Sequence, residues 1–503
     1  MIKALAPRMP RGCSWVWPSI VLLGVLPLTL KAQQTTPPTE AEKTAESPSD
    51  PPKKEAAAGA ATQEAEEDAE EKGSDNTPAS VEIFIDPNAI KANANTFTPL
   101  PSPAFNPRQA RDIESMAKGG AIDRDLIQKY VNKYAADLTN RSFIDGLITP
   151  NPSRNPTSAA AVGFREASTS LATPIDLAKR ANNTAFLKAY TEALLGVAPK
   201  LLKNHLLARL EAAILLGKTG SPDAIDTFIA QLNDKDQTTW VKIWSARGLL
   251  NILQGSTGAY QDLPGGTTST AKSAHALVDW LADKSLPWPA QLRALEALGA
   301  LRMAADPRAQ AKLEMASAAM QLLADPTVRP EVRAQAAWTL GMMRVSQANG
   351  KFNYKLVAYY GGEVAAELGE RIVATYENNN ALAQSYAAPL LYQIYPAFYG
   401  VDGARESGLL RMPNLGNNRV FVEQLGNLIK PVAKSAVELF KAPKGNRGKV
   451  AKDLSDKVAA LKSFLDKNVP EDKEFGDKQF PLKAQIADVR AEDPKVAGAV
   501  RGK

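Results

Sequence analysis

Eight of the twelve tyrosines in this 503-residue chain lie between Tyr354 and Tyr399, seven of them in the stretches YKLVAYYGG and SYAAPLLYQIYPAFYG. A tyrosine carries a broad apolar face and a hydroxyl at its tip, so such a cluster suits the binding of a peptide or glycan rather than bond-making chemistry. At helical spacing Tyr392, Tyr395 and Tyr399 share one face if the helix survives Pro396, and Tyr359 or Tyr360 would stand on the preceding helix of the same layer. These five are the candidate partner-binding residues. The same spacing also suits a bulky core where a helical array meets its cap, with one or two rim tyrosines exposed. The two readings differ in whether Tyr395 is buried.

Residues that catalyse or ligate are scarce. The only cysteine, Cys13, precedes an apolar run that reads as an export signal, so the mature chain is expected to have no thiolate nucleophile, thiolate metal site or disulfide. Two histidines, His205 and His275, make a poor basis for an imidazole metal site, and His275 reads as a flank residue of its helix. LGKTG at 216–220 contains the Gly-Lys-Thr of a phosphate loop, but Ala212 occupies the place of the first glycine and the segment ends a helix instead of leaving a strand. NDKDQ at 233–237 lacks the glycine and distal glutamate of a calcium loop. We therefore expect no catalytic residue, no cofactor and no metal.

The elements that would position the tyrosines are helices. Helical periodicity starts near IDRDLIQKYVNKYAADL and, after a Pro/Asn/Ser-rich loop at 149–157, continues to about residue 465. Within it one spacing recurs. Asp234, Asp283 and Asp325 each stand eight residues before a polar position (Lys242, Gln291, Arg333). A small residue follows three later (Ser245, Ala294, Ala336) and a leucine seven later (Leu249, Leu298, Leu340). ARLEAAILLG repeats the second half with Arg209, Ala212 and Leu216. Before each aspartate, Ile225, Phe228, Ile229 and Leu232, then Ala274, Leu277, Val278 and Leu281, then Ala316, Ala319, Met320 and Leu323, trace one face of a 3.6-residue helix. Each unit is a helix, a turn opening at the aspartate, and a second helix whose small residues admit a close neighbour. Neither helix can bury its stripe alone, which is why such units stack.

With DP at 325–326, VR at 332–333, AA at 336–337 and LG at 340–341, the chain resembles the HEAT repeat family in its bacterial form. The fit is good for this unit and looser for the others, whose spacing is stretched by the insertion GSTGAYQDLPGGTTST. The resemblance implies an all-α solenoid of stacked helix pairs, structural capping and bonding roles for Asp234, Asp283, Asp325, Lys242 and Arg333, and a binding rather than catalytic activity. Gln291 departs from the pattern and would break an ionic ladder at the middle unit.

The ends differ from this body. Residues 1–32 carry a basic start, an apolar run from about Ser14 to Leu30 and a small residue, Ala32, and read as a signal peptide; the alternative is an uncleaved membrane anchor through residues 14–30. Residues 33–80, with a net charge of −8 and no aromatic or large aliphatic side chain, read as a disordered acidic linker, leaving +10 on residues 81–503. The remaining divisions are an extended segment at 81–120 that includes the strand-like VEIFIDP, a helical flank at 121–200, HEAT-like repeats at 201–380, a helical C-terminal cap at 381–470 and a polar tail at 471–503. KAPKGNRGKVAK at 441–452 is a cation-rich loop without an acid. The expected function is an exported, non-enzymatic scaffold, periplasmic or extracellular, whose partner is another protein and not nucleic acid; a membrane is a partner only if the N-terminal segment stays uncleaved. The alternatives are a scaffold that binds anionic polymer or a membrane surface through its basic face, and an enzyme without a recognisable signature.

Overall fold

Four prolines between residues 99 and 107 fix φ and withhold backbone donors, and the chain accordingly starts extended before its first helix. The computed structural model describes residues 96–148, 159–254, 266–306, 308, 313–345, 352–402, 404, 406–412 and 415–470. The expected signal peptide, acidic linker, VEIFIDP strand, 149–157 loop and 471–503 tail lie outside them. Among the described residues the chain is all-helical and contains no strand. The nearest approach to one is a single bridge between Met303 and Arg344.

The segment expected to be extended to residue 120 turns helical earlier. Asn106 accepts the amide of Arg108 through its side chain, Pro107 opens a 3-10 turn, and α1 (Ala110–Ala117) follows, burying Ile113, Met116 and Ala117. The capping residue and the proline at the first position supply the start signal. Next come α2 (Arg124–Leu138), α3 (Arg141–Ile148), α4 (Ala159–Arg180), α5 (Thr184–Leu201) and α6 (Leu206–Thr219). Helices α2, α4 and α5 pack mutually, and α6 docks on α4 and α5. The rejected phosphate-loop stretch ends α6, with Gly220 in the left-handed region at φ 66°.

Three helix pairs follow: α7 (Ile225–Asn233) with α8 (Thr239–Gln254), α9 (Gly266–Leu281) with α10 (Trp288–Leu301), and α11 (Glu314–Ala324) with α12 (Pro330–Met342). The last residues of the expected insertion, Gly266–Thr270, form the first turn of α9. The second helices α8, α10 and α12 pack in succession, as do the first helices α7, α9 and α11. This layering is compatible with an α-solenoid. Ala316, Ala319, Met320 and Leu323 on α11 are fully buried, as are Ala336 and Leu340 on α12. Each large apolar side chain so removed from water contributes about 1.5–3 kcal/mol before entropy is counted.

Helix α13 (Tyr354–Thr375) packs on α12 and begins the C-terminal part. After α14 (Asn380–Pro389) the chain makes a π turn at Leu390–Ile394 and then α15 (Tyr395–Tyr399). Pro389 and Pro396 withhold amides on either side of that turn. Helices α16 (Arg419–Lys441) and α17 (Arg447–Lys467) form a hairpin against α13. The cation-rich loop is thus shorter than expected, since Lys449 and Lys452 already belong to α17.

The second helix of the third pair, α12, is buried on every side. The π turn and α15 cover the face that α10 and α13 leave open. A Cβ on Gly341 would lie 2.5 Å from the Ala397 carbonyl oxygen, and the Gly341 carbonyl accepts the Gly408 amide at 2.6 Å. Trp338 and Met342 pack with Ala404 in a small cluster beneath this cover.

Candidate functional site

The structure separates the five candidate tyrosines. Tyr359 and Tyr360, on α13, are 7% and 4% exposed and belong to the core, their rings edge-to-face at 5.5 Å. Tyr395 and Tyr399 are half-buried and stacked, centroids 4.6 Å apart. The Tyr399 hydroxyl is enclosed without a hydrogen-bond partner, and burial, with Tyr395 beside it, raises its pKa. Lys430 of α16 stands 5.9 Å over the Tyr399 ring. Only Tyr392, 44% exposed, faces solvent. The π turn carries one extra residue, so Tyr392 falls out of phase with Tyr395 and Tyr399. No contiguous face of all five exists. Tyr354, at the start of α13, is buried with an unpartnered hydroxyl, and burial pushes its pKa up to about 12.

A seventh tyrosine lies at a different kind of place. Tyr386 on α14, Glu367 and Arg371 on α13, and the α11–α12 turn from Pro326 to Glu331 enclose an open cleft of about 320 Å³. Asp325 caps the end of α11 and accepts the Thr327 amide and hydroxyl at 2.8 and 2.6 Å, which fixes the turn. Pro326 and Pro330 stiffen it further. Across the turn Arg329 lies over the Trp288 ring at 4.7 Å and pairs through Nε and Nη2 with Glu331 at 3.4 and 3.5 Å. On the opposite wall Arg371 lies over Tyr386 at 5.5 Å and donates through Nε and Nη2 to Glu367 Oε1 at 3.1 and 2.9 Å. Burial alone would lower the Arg371 pKa, but the Glu367 carboxylate and the Tyr386 side chain together outweigh it and the net shift is upward. The cleft therefore holds two half-exposed guanidinium groups, each stacked on an aromatic ring and braced by one carboxylate.

Behind it stands Arg333. Its guanidinium is buried on α12, where Nε donates to the Leu323 carbonyl at 3.0 Å and Nη1 to Glu367 Oε2 at 2.7 Å, with Glu363 3.8 Å from Nη2. It ties α11, α12 and α13 together. Arg209, at the same register three units earlier, is also buried; it donates to the Asn204 carbonyl and, at 3.3 Å, to Gln237 Oε1. Lys242 and Gln291 are half-buried at theirs. Asp234 and Asp283 repeat the turn of Asp325, accepting the amides of Asp236 and Ser285 at 2.9 Å.

The two histidines stand at joints. His275 Nε2 lies 2.9 Å from Asp306, and Nδ1 lies 3.7 Å from Glu314. The Asp306 carboxyl is held below the usual range by His275 first and by the Arg308 amide second. His205 caps α6 by accepting the Leu207 amide on Nδ1 at 3.3 Å, and its ring stacks on Phe97 at 4.6 Å. The extended segment is pinned there, Thr98 accepting from Asn204 at 2.6 Å and Leu100 donating to Thr139 at 2.9 Å. Among the described residues no group of three His, Cys, Asp or Glu side chains is placed to hold a metal ion, and no helix is long and apolar enough to cross a membrane.

Sequence reasoning passed over Arg329, Arg371, Trp288 and Tyr386. Two signals were present: Arg329 stands between Val328 and Pro330 in the turn of the best-fitting repeat, and Glu367 precedes Arg371 by one helical turn. Neither says that the two arginines meet. No family model, curated protein or solved structure matches the chain, so the site is read from its own geometry.

Proposed function

We propose that this chain is an exported, non-enzymatic scaffold of HEAT type that binds another protein in the cell envelope or outside the cell. Its helix pairs repeat one pattern of buried small residues and turn-closing aspartates, the arrangement by which stacked repeats build a long surface from units that are unstable alone. One observation carries the binding half of this reading: the cleft at the α11–α12 turn presents arginines and aromatic rings held rigid by neighbours, and such residues dominate the energetics of protein contacts. The test is capture from envelope extract on the immobilised full chain at low and high salt. Retention of a protein at both is the expected result. Capture of only anionic polymer or lipid, lost as salt rises, would overturn it in favour of binding through the basic face.

A further inference from the structure

We infer that the cleft between the α11–α12 turn and helices α13 and α14 takes the carboxylate side chain of an acidic peptide, held between Arg329 and Arg371. The inference rests on the protein-binding reading above and names the chemistry of the partner. The two guanidinium groups come from different elements but line one cleft, with side chains 48% and 44% exposed. Each plane is set by an aromatic ring beneath and by a glutamate on its Nε–Nη2 edge. In both arginines Nη1 stays outside that pair, so a donor edge is oriented in advance and little entropy is lost when a ligand meets it.

Donor geometry, not net charge, selects the ligand. Glu367 is divided between two cations, Oε1 to Arg371 and Oε2 to the buried Arg333. Arg333 also pairs with Glu363 at 3.8 Å behind the cleft, so the lining itself holds two guanidinium groups, Arg329 and Arg371, against Glu331 and the shared Glu367. A single carboxylate meets the Nη1 edges that these pairs leave over. A dianionic phosphate would press two charges against Glu331 and Glu367, whereas a carboxylate brings one and matches the forked geometry of arginine. The walls argue for a peptide: Pro326, Val328 and Pro330 offer rigid apolar contact for residues flanking the acid, and about 320 Å³ accommodates one side chain with its adjoining backbone.

The experiment is a fluorescence-anisotropy titration of the full chain with a labelled capped peptide containing one central glutamate between aliphatic residues, and with its glutamine counterpart. Sodium acetate and inorganic phosphate serve as competitors. We expect the glutamate peptide to bind, the glutamine peptide to bind at least about tenfold more weakly, and Arg329→Gln and Arg371→Gln each to lose about tenfold or more, the order of one charged hydrogen-bonded contact. Unchanged melting midpoints will show that both variants fold. Acetate should displace the peptide only at high concentration. Equal binding of both peptides, undiminished affinity in the double variant, no binding of the glutamate peptide, or displacement by phosphate at lower concentration than acetate would each overturn the inference. The two readings fail separately. Capture of an envelope protein undiminished by the double variant sinks the cleft alone, while peptide binding without any captured protein sinks the scaffold reading alone.

Discussion

Replacing Gly341 with alanine tests whether α12 is closed over as tightly as the packing implies. The added methyl would stand 2.5 Å from the Ala397 carbonyl oxygen and 2.7 Å from its Cα, against an ordinary contact of about 3.4–4 Å, so α15 must retreat by roughly 1 Å. Those atoms are backbone and cannot swing aside as a side-chain end would. The retreat costs about 1–3 kcal/mol by overpacking, and loosening the Gly408 amide from the Gly341 carbonyl adds about 1 kcal/mol. Against this, alanine is about 1 kcal/mol better than glycine inside a helix. The net expectation is a loss of about 1–3 kcal/mol in urea unfolding. Gly196→Ala is the internal control: Gly196 is exposed inside α5, and its Cβ would meet only the Gln128 side-chain oxygen at 3.9 Å. It should gain about 0.5–1 kcal/mol from propensity alone. If both substitutions stabilise, or both leave the midpoint unchanged, α15 does not press on α12 and the account of the buried helix fails.

Other perturbations probe the same architecture. Tyr395→Ala should cost about 1–3 kcal/mol through loss of the stack on Tyr399, whereas Tyr392→Ala should stay within about 0.5 kcal/mol, both read by urea unfolding; equal effects would refute the separation made by the π turn. Arg333→Ala should cost about 3–5 kcal/mol, because it strips the Leu323 carbonyl and Glu367 of their buried partner, and a loss below 1 kcal/mol would show that α13 does not depend on it. Burial, supported by the nearby Arg209 and opposed by Asp145, lowers the His205 pKa in the folded protein below its ordinary 6.5. The unfolded chain therefore binds the proton more readily, and the contribution of His205 is complete above about pH 6.5 and declines as pH falls below it. His205→Asn keeps a capping acceptor and should flatten that part of the pH–stability curve; identical curves for both proteins would refute the role.

What the sequence shows of this fold is what short-range spacing controls. The stripe Ala316, Ala319, Met320, Leu323 and the pair Ala336, Leu340 follow from a 3.6-residue period, and all are fully buried. The aspartate turns were legible for the same reason, because Asp325 acts on a residue two positions away. Legibility ends where the third dimension brings distant segments together. Trp338 carries no local sign that Val401 and Ala404, more than sixty residues later, pack with it. The tyrosine face was drawn with a regular helical period, and one π turn between two prolines was enough to set Tyr392 apart from Tyr395 and Tyr399. Arg329 and Arg371 are 42 positions apart, and nothing in their local pattern joins them. What joins them is Arg333, buried three residues before the small Ala336 that lets the helices close: it draws Glu367 toward α12, and Glu367 in turn sets the plane of Arg371 facing the turn that carries Arg329. The residue that reads in sequence as part of the stack is thus also what places the cleft, so stack and site cannot vary independently at this layer.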